Sequence, residues 1–321
     1  MMTPPQLPPL PYDAWEETKA TLHLFAQIMG KVKLAHHPKD NHWWHTTLHL
    51  SPRGITTRNI PTARGSFELE IDVHRSVLTL ATSDGATGSV PLPGLSVAGF
   101  YTALMAKLRE IGYPTEILAE PYDMPHSTLP FAQDDEHARW DAGAVTSFHR
   151  ILLFVEEAFK TFAGRSFSKT SPAHLFWHSF DFAVTRFTGR EVADAGGARR
   201  SDVEAYSHEV ISFGFWPGDP SVRFPAFYSY TAPEPDAIAD HELRPTTAWW
   251  QALPTSHLAM LKYDDLRVAP VPRATLLDFM QSAFDAGCAC AQWSDLHRQE
   301  TAATWDRLDI AFPATAGKER R

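Results

Sequence analysis

The sequence predicts an α+β fold, antiparallel β-sheets flanked by helices, and three observations predict it. Apolar residues recur at helical spacing in four separate segments. Between those segments, two long regions alternate apolar and polar residues with period two. The alternating runs are separated by turn-forming residues, the pattern of a meander. Helix and strand segments are grouped rather than strictly interleaved, which favours α+β over a doubly wound parallel sheet.

The elements follow in order. Residues 4–11 carry five prolines, and proline fixes φ and gives up its donor, so an extended arm over 1–12 is expected. Asp13 is expected to cap a helix with Trp15, Leu22, Phe25 and Met29 on its apolar face, ending at Gly30. Residues 31–41 read as polar loop. From Trp43 the period becomes two: Trp44, Thr46, Leu48 and Leu50 alternate with His45, Thr47 and His49. Phe67, Leu69 and Ile71 then alternate with Glu68, Glu70 and Asp72, and a His74-Arg75 turn leads to the strand at 77–81. Gly94 introduces a second helix through Phe100, Leu104 and Leu108, stopped by Gly112 and Pro114.

Residues 114–140, rich in Pro, Asp and His, read as a linker, after which the plan restarts. Val145, Phe148, Leu152, Val155, Phe159 and Phe162 mark a long amphipathic helix ending at Gly164. A new strand series opens at Phe176-Trp177-His178, continues through 258–268, and gives way to a helix with Leu276, Leu277, Met280, Phe284 and Cys288. The expected organisation is therefore an arm (1–12), a first α+β lobe (13–113), a linker (114–140), a second α+β lobe (141–292) and a polar helical tail (293–321). Both lobes run helix, loop, Trp-His strand, further strands, helix. That order admits two related helix–sheet–helix lobes from a duplication, or simply a common α+β arrangement recurring.

Composition narrows the function classes. The 321 residues are 44% hydrophobic, 12% aromatic and 21% charged, ample for a globular core. The formal net charge is −9, and no Lys/Arg run is longer than two outside the Lys318-Glu319-Arg320-Arg321 terminus, so no nucleic-acid partner is expected. Cys288 and Cys290 do not form a Cys-x-x-Cys, and two thiols fit a reducing compartment. The N-terminus lacks a signal-peptide pattern and no stretch has the roughly 20 apolar residues of a membrane span. A cytoplasmic protein without a membrane partner is the expectation; oligomeric state is not legible. Walker, Gly-x-Gly-x-x-Gly and Gly-x-Ser-x-Gly motifs are absent, so no nucleotide cofactor is expected.

The candidate chemistry lies in residues 174–236, three strand-like runs in which polar and charged groups interrupt the aromatics. Pairing the runs as consecutive antiparallel strands sets Arg186 opposite His208, Phe182 opposite Ser212, and Ser212 opposite Tyr228. Arg186, His208, Ser212, Tyr228 and Tyr230 then share one face, with Glu209 and Asp181 on the other; a slip of one residue would exchange the faces. On this pairing Arg186 anchors an anionic group, His208 is the acid/base, and Tyr228, Tyr230 and Ser212 orient a ligand. Glu209 is a further catalytic candidate because it stands on an otherwise apolar face, and Arg190 and Trp216 are further ligand contacts. A divalent metal at His178 and His208 is the main variant, although neighbouring strand residues point apart. Surface histidines are the simpler account of His36, His37 and His42, and His45 and His49 lie about 13 Å apart along a strand.

The segments Phe176-Trp177-His178-Ser179-Phe180-Asp181, Thr185-Arg186-Phe187-Thr188-Gly189-Arg190, Ser207-His208-Glu209-Val210-Ile211-Ser212, Gly214-Phe215-Trp216-Pro217-Gly218 and Phe227-Tyr228-Ser229-Tyr230 resemble a bacterial family known as domain of unknown function 5996. The resemblance spans nearly the whole chain, from Trp15 to about Cys290, and implies no activity. Two function classes stand. One is a small-molecule-binding enzyme with its site on the second-half sheet. The other is an interaction protein using exposed aromatics at Trp216, Tyr228 and Trp249-Trp250. A concave polar pocket would favour the first and a flat apolar patch the second.

Overall fold

The computed structural model describes residues 6–124, 127–193 and 200–294. It is α+β, with two antiparallel six-stranded sheets and six α-helices among those residues. Helix α1 (Tyr12–His36) opens the chain, and the first sheet contains β1 (His49–Leu50), β2 (Gly54–Thr56), β3 (Ile60–Thr62), β4 (Gly65–Asp72), β5 (Val77–Thr82) and β6 (Thr87–Pro91). Helices α2 (Val97–Glu110) and α3 (Ala142–Gly164) follow. The second sheet contains β7 (His174–Phe176), β8 (Asp181–Glu191), β9 (His208–Trp216), β10 (Ala226–Ala232), β11 (Trp249–Ala252) and β12 (His257–Lys262). Three further helices stand among the described residues: α4 (Arg200–Ala205) between β8 and β9, α5 (Tyr263–Arg267), and α6 (Pro272–Cys290).

The strand order is β1-β2-β4-β5-β6 in the first sheet, with β3 also on β4, and β11-β12-β10-β9-β8-β7 in the second. The two sheets meet at their edges. Leu48, beside β1, exchanges both backbone hydrogen bonds with Leu175 of β7, each at 2.9 Å. Edge strands that would otherwise present unpaired backbone thereby cover one another. One hydrophobic cluster runs through both halves, from Leu22 and Phe25 of α1 through Leu69 and Leu80 to Phe182, Phe213 and Phe284.

Helix α1 is at the centre of that cluster. Its ring of Phe25 stacks on Phe100 of α2 at 4.0 Å, and Trp15 packs on Phe148 of α3 at 5.0 Å. Pro11, not Asp13, occupies the N-cap, and the helix passes Gly30 to end at His36. Gly30 is a packing site inside the helix, not its end: the indole of Trp177 lies against it, and a Cβ there would come within 2.2 Å of the ring. The expected loop after Gly30 is therefore helix, and it carries Lys31 and Lys33 into buried positions.

The strand expected to open at Trp43 is a 3-10 segment, Asn41–Thr46, in which His42 and Trp43 adopt left-handed φ of 50° and 61°. Such backbone costs roughly 1–2 kcal/mol per residue. Here it turns two consecutive indoles, Trp43 and Trp44, out of any strand alternation. Regular pairing begins only at Leu48, so the Trp-His motif is a strand in neither half: Trp177 and His178 lie in the turn between β7 and β8. The stretch expected as a strand through 268 is split into β12 and α5. The tail expected to be helical after Trp293 lies outside the described residues, as do the first five residues of the arm.

Candidate functional site

The register of the second sheet decides which side chains share a face. Strand β8 pairs with β9 so that Phe182 faces Phe215, Thr185 faces Ser212 and Arg186 faces Ile211. That is three residues from the expected pairing of Arg186 with His208. An odd shift exchanges the faces of β8 relative to β9. A bulge between Phe187 and Glu191, with Gly189 at φ 83°, adds residues that a regular ladder does not contain. Between β9 and β10 the shift is even, with Tyr230 opposite Ser212 and Tyr228 opposite Gly214. Ser212, Tyr228 and Tyr230 therefore share a face as expected, joined by Asp181, Ala183, Thr185 and Phe187 in place of Arg186.

Arg186 is on the opposite, helix-covered face. It is buried, donates to the carbonyl oxygen of Phe162, and lies 3.6 Å and 4.5 Å from the ring centroids of Phe162 and Phe284. Its guanidinium docks α3 and α6 on the sheet, so the anchoring role expected of it is corrected to a structural one. Glu209 and Arg190 also leave the expected site. Arg190 Nη2 is 2.6 Å from Glu209 Oε2, and the same guanidinium donates to the carbonyl of Ala291 just past α6. The half-buried His208 is at the start of β9, with its Nδ1 3.0 Å from Ser207 Oγ and its ring 5.8 Å from His42.

The face that carries the tyrosines floors a cleft of about 1840 Å³. Its floor includes Asp181, Ala183, Thr185, Phe187, Ser212, Trp216, Tyr228 and Tyr230. One wall is the stripe of α1 formed by Glu16, Lys19, Ala20, His23, Lys31 and Leu34; Trp43, Trp44, Tyr122, Phe176, Trp177, His178 and Tyr206 close the remaining sides. The volume exceeds the roughly 300–1,000 Å³ of drug-sized pockets.

A chain of hydroxyl contacts crosses the floor. The two oxygens of Asp181 accept from Ser179 and from Tyr228. Tyr228 and Tyr230 stack at 6.1 Å with ring planes 11° apart, and Tyr230 meets the Tyr206 hydroxyl at 3.1 Å. Thr185 and Ser212 hydroxyls are 2.9 Å apart beneath them. Burial, then the Asp181 charge, pushes the Tyr228 phenol well above its ordinary range; burial and Tyr206 do the same to Tyr230. Both phenols thus stay protonated donors.

On the helix wall, His23 Nε2 is 2.9 Å and 3.1 Å from the carbonyl oxygens of Trp177 and His178. Two acceptors fix the proton on Nε2, leaving the lone pair on Nδ1. Burial and then the neighbouring Lys19 charge bring the His23 pKa down to about 3, so the ring is neutral. Gln27 clamps the 116–124 segment, accepting from the Tyr122 backbone N–H at 2.8 Å and donating to its carbonyl at 2.9 Å.

Of the residues expected from sequence, Tyr228, Tyr230, Ser212, Trp216 and His178 line this cleft. Asp181, Tyr206, His23, Lys19 and Lys31 were not anticipated. The signal for the helix residues was present: Lys19, His23, Gln27 and Lys31 recur every four residues, a polar stripe through the otherwise mostly apolar stretch from Leu22 to Val32. Ending the helix at Gly30 hid it. His178 and His208 gain no third ligand: among the described residues, no group of three or more His, Cys, Asp or Glu side chains could hold a metal ion. No helix among those residues is long and apolar enough to cross a membrane.

Comparison with known proteins gives a family and no activity. No curated protein and no solved structure gives a significant match. The model of the family described as "Family of unknown function (DUF5996)" matches residues 7–300, a span that contains α1, both sheets and every residue of the cleft; the chain belongs to that family.

Proposed function

We propose that this protein binds a small organic molecule in the cleft between α1 and the second sheet, with the Asp181–Tyr228–Tyr230–Tyr206 array recognising its polar groups. The observation that carries the reading is the position of that array: protonated phenols and a buried carboxylate at the floor of a concavity with aromatic residues on its sides opposite the α1 wall. Aromatic walls supply apolar area for a ligand body, and a few convergent hydroxyls supply orientation. An interaction module would instead expose its aromatics on a flat surface. Here Tyr228 is at the cleft floor, and Trp250 is half-buried with its Nε1 donating to the His241 carbonyl at 2.8 Å.

An enzymatic use of the same floor would run through the Asp181–Tyr228 contact, the carboxylate accepting a proton from a substrate group while the protonated phenol donates a hydrogen bond. Loss of turnover in Asp181→Asn with binding retained would mark that use.

A fragment screen by thermal shift and tryptophan fluorescence tests the binding reading. Fragments should raise Tm in the native chain. Ala183→Phe, which places a ring on the cleft floor, should abolish their effect, and Tyr228→Phe should weaken fragments that carry a polar acceptor by about tenfold. Arg186→Met should leave affinity unchanged. Fragments that bind the Ala183→Phe variant as tightly as the native chain would sink the proposal.

A further inference from the structure

The cleft carries more carboxylates than cations, yet its charged groups differ in how they are satisfied. Glu17, Glu116, Asp123 and Glu136 are exposed at the rim, where water and salt screen them. Asp181 is buried and already accepts from two hydroxyls. The two lysines of the α1 wall are the reverse case. Lys19 is 8% exposed and Lys31 7% exposed, both line the cleft, and neither has a hydrogen-bond or ion-pair partner among the described residues. An ammonium has three donors and no acceptor, so the cleft is where these two can find one.

The two lysines are twelve residues apart on one helix, about 18 Å, so a single anionic group cannot reach both. Their surroundings separate them. Lys19 is within the field of Asp219 and Glu16. Among the described residues, Lys31 has the exposed Glu120 acting on it, and its Nζ is 5.7 Å from the Trp177 ring and 6.0 Å from Phe131. Aromatic faces soften the desolvation of a cation but leave its N–H donors unmet. Burial also holds the Lys31 pKa below its ordinary value, with Glu120 acting in the opposite sense. Around it, Tyr122 meets the rings of Trp177 and His178 edge-on at 6.0 Å and 6.1 Å, which gives this end of the cleft aromatic sides.

Resting on the cleft as the binding site, we propose that the ligand is an aromatic carboxylic acid, its carboxylate held by Lys31 and its ring lodged against Tyr122, Trp177 and His178. The anion supplies an acceptor for the lysine, and the contact is charge-assisted.

The test uses matched probes on phenyl, naphthyl and indole rings, each as the arylacetate, the primary amide and the arylethylamine, titrated into the full chain by fluorescence and calorimetry. The acids should bind at least about tenfold tighter than their amides, and the advantage should shrink as salt rises. Lys31→Met should remove the advantage, Lys31→Arg should keep most of it, and Lys19→Met should leave it in place. Lys31→Met should also raise Tm, because it removes a desolvated charge, so lost binding cannot come from unfolding. Amides or amines that match the acids, or a Lys31→Met variant that binds acids as the native chain does, would overturn the proposal. Silence from all nine probes alongside hits from the fragment screen overturns the anion class and leaves the cleft; silence from both removes the cleft reading as well.

Discussion

Tyr228 reaches Asp181 because position 214, directly across the ladder, has no side chain. A Cβ on Gly214 would come within 2.2 Å of the Tyr228 ring and 2.3 Å of its hydroxyl oxygen. Gly214→Ala must therefore lever the ring off its neighbour, breaking the Asp181 contact at a cost of about 1–3 kcal/mol. Thermal unfolding should show the loss, and fragment affinity should fall in parallel; an unchanged Tm and affinity would mean the ring has somewhere else to go. Arg186 is the opposite kind of residue. It was expected in the site because an arginine among aromatics reads as an anion holder, but its fork is spent on the Phe162 carbonyl and two ring faces. Arg186→Ala should cost about 3 kcal/mol in urea unfolding through lost packing and an unmet carbonyl, with binding unaffected in the folded fraction. Nothing in the residue types separates these two outcomes. Register does, and a bulge beside Gly189 sets it.

At the scale of the element, α1 is the part most legible in retrospect and least in advance. Its apolar positions are plain in the sequence, and its continuation past Gly30 is not, since a mid-helix glycine reads as a C-cap until Trp177 is seen lying on it. The same long helix brings buried histidines and lysines to the junction of the sheets. Lys33 donates to the Thr47 carbonyl at 2.6 Å, and His174 Nδ1 is 3.0 Å from Thr47 Oγ1. Burial first, and then nearby cations, bring His23, His49 and His174 down to about 3, 2 and 3. These rings stay neutral in the folded chain while the unfolded chain protonates them below its ordinary pKa of about 6.5. The unfolded state therefore binds up to three more protons, and stability is lost as pH falls below about 6.5. The slope from these groups approaches about 4 kcal/mol per pH unit near pH 5. Urea midpoints at pH 7, 6 and 5 would measure it; a flat profile would contradict neutral burial of the histidines.

The whole molecule was legible as a class and not as an assembly. Period-two runs and helical stripes gave antiparallel sheets with helices, and most helix boundaries from Ser96 onward agree within a few residues. The edge-to-edge contact of Leu48 with Leu175 has no local signature, because two leucines that pair 127 positions apart look like any other leucines. Yet that contact, with α1 packed against both α2 and α3, makes one core of the two halves. A single cooperative thermal transition should follow, with calorimetric and van't Hoff enthalpies equal. Residues 141–292 produced alone should lack a cooperative transition, since α1 supplies part of their core. The cleft is a product of the same assembly: its floor comes from the second sheet and its wall from the first helix. The most direct measurement is a crystal structure of the chain with its tightest-binding fragment. The ligand should lie between α1 and the β8–β9–β10 face, in contact with Tyr228 or Tyr230; a ligand bound at any other surface, with this cleft left to solvent, would contradict the account.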